Sequence, residues 1–336
     1  MATPLDSKEV RSVVSHFRAG KPLAWRPLRR GSPDNPKALV RTDQGVFVLK
    51  RRSGDPFRVA FSHAVWQRVA RCGVPVPELI GTRFSNNTML QLDAGQNAPR
   101  TPGQPQQGQR TYELMRFVYG HRTDRSEASV ESAARTQAAY HRALADFSCA
   151  WEPRRRAEPT PDWIEGVLRA RAGADPDTIA RLVARYATSV RARAFLGVDA
   201  SPTQICHGDW HRGNLLFREG KVVAVLDHDL CRVAPVLADL ACGALHFTQA
   251  PRPRAAQGGP PAPLDLPRLR LYLRTYSHQA GRSLIPTELR ALPHLMIAQL
   301  VQEAANPAES AALLRTVERQ TAWLEASAEL IAGITG

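Results

Sequence analysis

Residues 6–18 carry Val10, Val13, Val14 and Phe17 at helical spacing on an otherwise polar segment. One apolar stripe of that kind predicts a short amphipathic helix. The runs at 23–30, 38–42 and 46–51 are then strand-like. Gly31-Ser32-Pro33-Asp34-Asn35 separates the first two, and Asp43-Gln44-Gly45 between the last two is a hairpin signal. Helical spacing returns over 57–71 and stops at Cys72-Gly73, a C-terminal cap. In Val74-Pro75-Val76-Pro77 the residue before each proline is pushed out of the helical region, so this piece is an extended connector. Residues 88–92 and 111–118 are strand-like again. Residues 95–109 between them are polar and rich in Pro, Gly and Gln, with too little apolar surface to order themselves. They are expected to be a mobile insertion in a loop between two strands.

After Gly120 the pattern becomes helical, over 130–147, 161–171, 177–195, 267–281 and from 286 to the end. One short β-hairpin, 214–226, is embedded there, with Arg218-Glu219-Gly220-Lys221 as its turn. A small β-rich half preceding a larger α-rich half is an α+β arrangement. The expected division is 1–118 and 119–336.

A chain of 336 residues fits one large bilobal domain or two small ones. Its hydrophobic content of 43% is ordinary for a globular protein. No window approaches the roughly 20 apolar residues of a membrane span. The N-terminus lacks the basic-then-apolar order of a signal peptide. A cytoplasmic protein with no membrane partner is expected. The five cysteines are odd in number and form no C-x-x-C pair, which argues against a disulfide framework and a structural zinc site. The net charge of +14 suits nucleic acid, a membrane surface, or the steering of anionic substrates such as ATP. The arginines are spread along the chain with no basic tail, although Arg181, Arg185, Arg191 and Arg193 share one predicted helix. Scattered charge of this kind is a solvated face, so no nucleic-acid partner is expected.

The candidate chemistry lies in His207-Gly208-Asp209-Trp210-His211-Arg212-Gly213-Asn214 and in Asp227-His228-Asp229 after the hairpin. Phosphoryl transfer from ATP needs charge neutralised on the β- and γ-phosphates and an aligned hydroxyl. A Mg²⁺ ion takes one or two protein carboxylates, with an amide or water completing the octahedron. Asp209 sits on a loop, Asn214 begins the first strand and Asp227 ends the second. A tight hairpin brings its two ends together, so Asn214 and Asp227 are expected side by side on one metal. Asp209, five residues before Asn214, is placed to reach the acceptor hydroxyl. The spacing H-x-D-x-x-x-x-N, with a later Asp after the hairpin, matches the catalytic loop of protein kinases.

HGDWHRGNLLF, VAVLDHD and ADLA together resemble the aminoglycoside phosphotransferase and choline kinase-like family. The resemblance is nearest to the branch of type II homoserine kinases and spore-coat-associated kinases. Val46-Phe47-Val48-Leu49-Lys50 looks like the family's ATP-binding lysine strand. The pieces from Phe61-Ser62-His63-Ala64-Val65 to Gly73-Val74-Pro75-Val76-Pro77 look like the following helix and its exit. Tyr112-Glu113-Leu114-Met115-Arg116-Phe117-Val118-Tyr119-Gly120 looks like the hinge between lobes. The resemblance runs over most of residues 20–300.

It implies a bilobal protein-kinase-like fold, ATP and Mg²⁺ as cofactors, and a small-molecule hydroxyl as acceptor. In that family pattern Asp209 is the base, Asn214 and Asp227 bind Mg²⁺, and Lys50 touches the α- and β-phosphates. Met115 borders the adenine, and the backbones of Arg116 and Val118 bond to it. His207 braces the loop, and Asp239 holds it in shape. Trp210, Asp229, His246 and Glu303 are the candidate acceptor-pocket residues; for Asp229 a second metal contact or a helix cap is also open. His211 fits a loop-packing role.

Two features depart from protein kinases. Residues 51–71 contain no Glu to pair with Lys50. The expected nucleotide loop, Gly31-Ser32-Pro33-Asp34-Asn35, lacks a Gly-x-Gly-x-x-Gly pattern and must hold phosphates differently. A polycationic aminoglycoside calls for an acidic pocket. The basic chain, with Arg232 following Asp229, tilts the acceptor toward a neutral or carboxylate-bearing alcohol such as an amino acid, amino alcohol or sugar-like metabolite. An antibiotic-resistance kinase, a Ser/Thr protein kinase and a non-catalytic nucleotide-binding protein are the alternatives.

Overall fold

A computed structural model describes residues 3–29, 34–93, 109–150, 152, 158–171, 173–198, 201–250, 263–306 and 310–334. The expected insertion at 95–109, apart from Gln109, and Gly31-Ser32-Pro33 of the expected nucleotide loop lie outside the described residues. The chain divides into two compact units. The first is Met1–Gly120 with Cys149–Glu152 and Val223–Asp229. The second is His121–Ser148, Pro153–Val222 and Leu230–Gly336. The fold is α+β and protein-kinase-like, β-rich in its N-terminal part and helical in its C-terminal part.

The first unit opens with helix α1 (Ser7–Ser15), capped by the Asp6 carboxylate, which accepts from the Glu9 N–H at 2.8 Å. Strands β1 (Pro22–Leu28), β2 (Lys37–Thr42) and β3 (Gly45–Arg52) follow. Helix α2 (Pro56–Arg71) comes next, with Asp55 as its cap and Pro56 in its first turn. Strands β4 (Met89–Asp93) and β5 (Gln109–Arg116) complete an antiparallel sheet in the order β1-β2-β3-β5-β4. Successive side chains of a strand point to opposite faces. Phe47 and Leu49 of β3, with Tyr112 and Leu114 of β5, therefore turn to one side and bury against Val10, Val13, Val14 and Phe17. Full burial of each such side chain contributes about 1.5–3 kcal/mol. The polar face holds Lys50 and Arg52, and the register sets Lys50 opposite Glu113.

The second unit is built from helices α3 (Glu127–Leu144), α4 (Pro161–Arg169), α5 (Pro176–Phe195), α6 (Val236–Phe247), α7 (Leu266–Ala280), α8 (Pro286–Ala304), α9 (Ala311–Ala326) and α10 (Ala328–Ala332). Helix α3 packs on α7, α5 on α8, and α6 on α8. The stretch from residue 286 to the end, expected to be helical in pattern, holds α8, α9 and α10 among the described residues. Helix α3 starts three residues before the expected Val130, because the Ser126 hydroxyl accepts from the Ser129 N–H at 3.2 Å and fixes the first turn there.

Two short strands, β6 (Thr203–Cys206) and β9 (Arg232–Pro235), pair antiparallel, one just before the Asp209 loop and one just after Asp229. The hairpin strands β7 (Leu215–Arg218) and β8 (Lys221–Val225) are slightly shorter than the expected 214–226. Asn214 stands just before the first strand and Asp227 two residues beyond the second. Glu219 and Gly220 have φ of 51° and 71°, the left-handed pair that a tight two-residue hairpin turn requires. No helix among the described residues is long and apolar enough to cross a membrane.

Candidate active site

In the first unit, Lys50 Nζ lies 2.9 Å from Asp229 Oδ2, 3.5 Å from Asp227 Oδ1 and 3.8 Å from Glu113 Oε1. The lysine thus has carboxylate partners, and none comes from α2. Glu113 reaches it across the β3–β5 ladder. Glu113 is fully buried and also receives Arg52 Nη1 at 3.2 Å and His63 Nε2, from α2, at 2.7 Å. His63 in turn meets the Thr88 hydroxyl at 2.8 Å. Helix α2 therefore touches the lysine's partner through a histidine, in the place where a protein kinase uses a helix glutamate.

Burial alone would raise the Glu113 carboxyl, but Arg52, Lys50 and the His63 hydrogen bond hold it well below the usual range. Burial alone would lower the Lys50 ammonium; Glu113 first, then Asp229 and Asp227, outweigh it and keep the lysine charged. Lys37, its partner across the β2–β3 ladder, is lowered by burial and by the Lys50 charge.

The Asp227-His228-Asp229 segment is fixed by α2 from its other side. His228 stacks on Trp66 with ring centroids 4.7 Å apart and planes 13° from parallel. Trp66 Nε1 donates to Pro77 O at 2.7 Å, and Arg58 Nη2 donates to Asp229 O at 2.8 Å. Asp227 has φ 59°, a left-handed conformation that aspartate tolerates better than most residues. Burial opposes its ionisation, yet Lys50 and Lys37 hold its carboxyl below the ordinary value. Asp227 Oδ1 is buried and accepts no hydrogen bond. Asp229, for which a substrate contact, a metal contact and a helix cap were all open, is engaged by Lys50 and by Arg52 Nη1 at 2.5 Å, where two cations of β3 converge on it.

Met115 and Arg116 end β5, and Val118 follows the strand. Of the two backbones expected at adenine, that of Arg116 is the first. Its N–H already donates to Glu78 O at 2.8 Å. The Val118 backbone makes no hydrogen bond among the described residues.

In the second unit, the loop after β6 carries the acid. Gly208 sits at φ 76°, and a Cβ there would come within 2.3 Å of Leu230 O, so only glycine fits. The Gly208 N–H donates to Asp239 Oδ1 at 2.7 Å. Asp239 Oδ2 accepts from His141 Nε2 at 2.9 Å, and His141 Nδ1 meets the Tyr276 hydroxyl at 2.7 Å. Burial would raise the Asp239 carboxyl; His141, His207 and the Gly208 N–H bring it down to about 2. His207 is fully buried, with ring centroids 5.5 Å from Tyr140 and 5.4 Å from Trp210. Trp210, expected in the acceptor pocket, is fully buried in this aromatic group. An indole of that size gains more from burial than from a place on a polar rim.

Asp209 Oδ2 accepts from Asn214 Nδ2 at 2.7 Å and lies 3.3 Å from His211 Nε2. His211 Nδ1 accepts from the Gly213 N–H at 2.8 Å, which leaves the proton on Nε2, facing Asp209. Burial would raise the Asp209 carboxyl, and the His211 and Asn214 contacts outweigh it, so the group stays ionised. Asn214 spends its amide nitrogen on Asp209, through Oδ2 and through the backbone carbonyl at 3.0 Å. Asp209 and His211 line a cavity of about 530 Å³, together with His246 and Glu303. His246 Nε2 and Glu303 Oε1 are 2.7 Å apart.

A sequence profile described as "Phosphotransferase enzyme family" matches residues 25–272. The chain belongs to that family. It is a phosphotransferase, an enzyme of the kinase type acting on hydroxyl acceptors. No curated protein matches it in sequence. Among solved structures, it is similar to an amicoumacin kinase in complex with AMP-PNP, Ca²⁺ and Ami. There the identity is 13%, the coverage 98% of this chain and 95% of the other, and the TM-score 0.68. A microcompartment-associated aminopropanol kinase is 15% identical over 96% and 97%, with TM-score 0.64. A spectinomycin phosphotransferase with ADP and spectinomycin is 13% identical over 98% of each chain, with TM-score 0.61. At these identities the likeness is one of fold.

Within this phosphotransferase, sequence reasoning missed Glu113, Arg52, His63 and Lys37. A signal for one of them was present: Arg52 stands two residues after Lys50 on one strand and so shares its face.

Proposed function

We propose that this phosphotransferase moves the γ-phosphoryl group of ATP to a hydroxyl of a small molecule, with Asp209 as the base. The observation that carries this reading is the Asp209 carboxylate. It is kept ionised by His211 and Asn214 and opens on a cavity large enough for a metabolite. The acceptor hydroxyl gives its proton to Asp209 as its oxygen bonds to the γ-phosphorus. The bond from that phosphorus to the bridging oxygen breaks, and ADP leaves with the electron pair.

Lys50 is assigned to the α- and β-phosphates, with its charge secured by Glu113. Met115 and the backbones of Arg116 and Val118 are assigned to adenine, Arg116 through its carbonyl because Glu78 O takes its N–H. Asn214 and Asp227 are assigned to Mg²⁺. Asn214 turns its amide nitrogen to Asp209, which leaves its carbonyl oxygen as a ligand, and Asp227 Oδ1 is buried without a hydrogen bond. Both are hard oxygen donors of the sort Mg²⁺ takes. When bound there, the ion supplies neutralisation of charge on the β- and γ-phosphates. The AMP-PNP and Ca²⁺ of the amicoumacin kinase complex, and the ADP of the spectinomycin phosphotransferase complex, support nucleotide and divalent metal as the class of cofactor. Residues 1–118 are assigned as the nucleotide-binding part and 119–336 as the catalytic and acceptor-binding part.

The test follows phosphate by ³¹P NMR in mixtures of MgATP with sugars, amino acids and amino alcohols. A phosphomonoester appearing with ADP, and abolished by Asp227→Ala together with the Mg²⁺ dependence of ATP binding, is the expected result. A chain that binds no MgATP, or an Asp227→Ala variant with unchanged Mg²⁺ titration, contradicts the assignment.

A further inference from the structure

The cavity beside Asp209 is also lined by Arg122, Arg125 and Arg212. The two carboxylates in its wall are already engaged. Asp209 takes Asn214 and His211, and Glu303 Oε1 takes His246 Nε2 and Gln299 Nε2, each at 2.7 Å. The arginines have no such compensation among the described residues. Arg212 Nη2 donates to Gln249 Oε1, a neutral amide, and among the described residues none of the three forms an ion pair. Asp124, the chain neighbour of Arg125, spends its Oδ1 on the start of α3. It accepts there from Ser126 N at 2.9 Å, Ser126 Oγ at 2.7 Å and Ser129 Oγ at 2.6 Å.

Arg125 itself is held at φ 63°, with its N–H donating to the hydroxyl of Thr123, another lining residue. Strained backbone of this kind persists where the surroundings over-determine it, and binding sites are one such place. Arg212 is lowered by burial and then by the Arg125 charge. Like charges gathered on one cavity wall repel each other unless a ligand brings the counter-charge. Guanidinium groups match carboxylate and phosphate oxygens in pairs of parallel hydrogen bonds.

We infer that the acceptor alcohol carries an anionic group, a carboxylate or a phosphate monoester, held by Arg122, Arg125 and Arg212 while its hydroxyl meets Asp209. This rests on the reading of the Asp209 cavity as the acceptor site. It sets the enzyme apart from kinases of polycationic antibiotics, whose substrates would meet the same positive wall.

The test uses four probes that share one hydroxylated ring: glucuronate, glucose 6-phosphate, glucose and glucosamine. Each is titrated calorimetrically into the full chain and into an Arg122→Gln, Arg125→Gln double variant, both positions being exposed. At least one anionic probe is expected to bind about tenfold or more tightly than glucose, and the double variant is expected to lose that preference while keeping its MgATP affinity. Tighter binding of glucuronate assigns a carboxylate, and of glucose 6-phosphate a phosphate. Binding of glucose or glucosamine as tight as the anions, no binding of either anion, or a preference that survives in the double variant overturns the proposal. Transfer from MgATP is followed in the same samples. Transfer without preference for an anion overturns the anionic class and leaves Asp209 phosphotransfer standing. Anion binding lost in the double variant, with no transfer to any alcohol, supports the anion site and counts against that phosphotransfer reading.

Discussion

Lys50 and Glu113 face each other across neighbouring strands β3 and β5, with Nζ and Oε1 3.8 Å apart and both side chains buried. The lysine of this phosphotransferase is thus anchored within the sheet, and α2 contributes through His63 rather than through a carboxylate of its own. Removing the buried anion of a charge cluster leaves the remaining cations short of counter-charge, even with Asp229 beside Lys50 and Arg52. Glu113→Gln is expected to cost about 3–5 kcal/mol of stability, because Lys50, Arg52 and His63 all lose their shared anion. Urea unfolding of the variant checks this; a midpoint equal to that of the parent contradicts it.

His211 contributes to keeping Asp209 ionised. A base must be deprotonated to act, so a lowered pKa preserves activity into acid. His211→Ala removes a lowering influence, and the Asp209 pKa rises. The acid limb of the kcat profile is then expected to move to higher pH, while the Kd for MgATP stays as it was. A limb that does not move, or moves to lower pH, counts against the contact.

Asp239 ties the loop that carries Asp209 to α3 and α7 through the Gly208 N–H and through His141 and Tyr276. Its folded pKa of about 2 lies below the ordinary 3.8. The folded state therefore binds the proton less readily than the unfolded chain. The resulting stabilisation, ~2 kcal/mol, is present above the unfolded pKa and is lost as pH falls from about 4 toward 2. Asp239→Asn should flatten that part of the stability curve, which denaturant titrations at stepped pH would reveal. An unchanged acid slope in the variant is the contrary result.

The loop motif and hairpin were legible in the sequence because their parts are contiguous. The spacing from Asp209 to Asn214 and the turn at Glu219-Gly220 are set locally, and local rules reach that far. The carboxylate partner of Lys50 was not legible, because it depends on which strands pair. Glu113 stands in a run that resembled the hinge, and only the β3–β5 register turns it toward Lys50. Strands β6 and β9, four residues each, are too short to show a period. Trp210 lies in a loop with no period to say which way it turns, and the aromatic cluster with Tyr140 and His207 decided the matter. The arginine wall joins Arg122 and Arg125 to Arg212, some ninety residues away, and only the tertiary fold reveals it.

The most direct test of the account is turnover by Asp209→Asn, which nearly preserves shape while removing the carboxylate proposed as the base. With MgATP and whichever alcohol the parent phosphorylates, kcat is expected to fall by about 10²–10⁴-fold, and the Kd for MgATP to remain that of the parent. Turnover at the parent's rate in Asp209→Asn would contradict the assignment of Asp209 as the base.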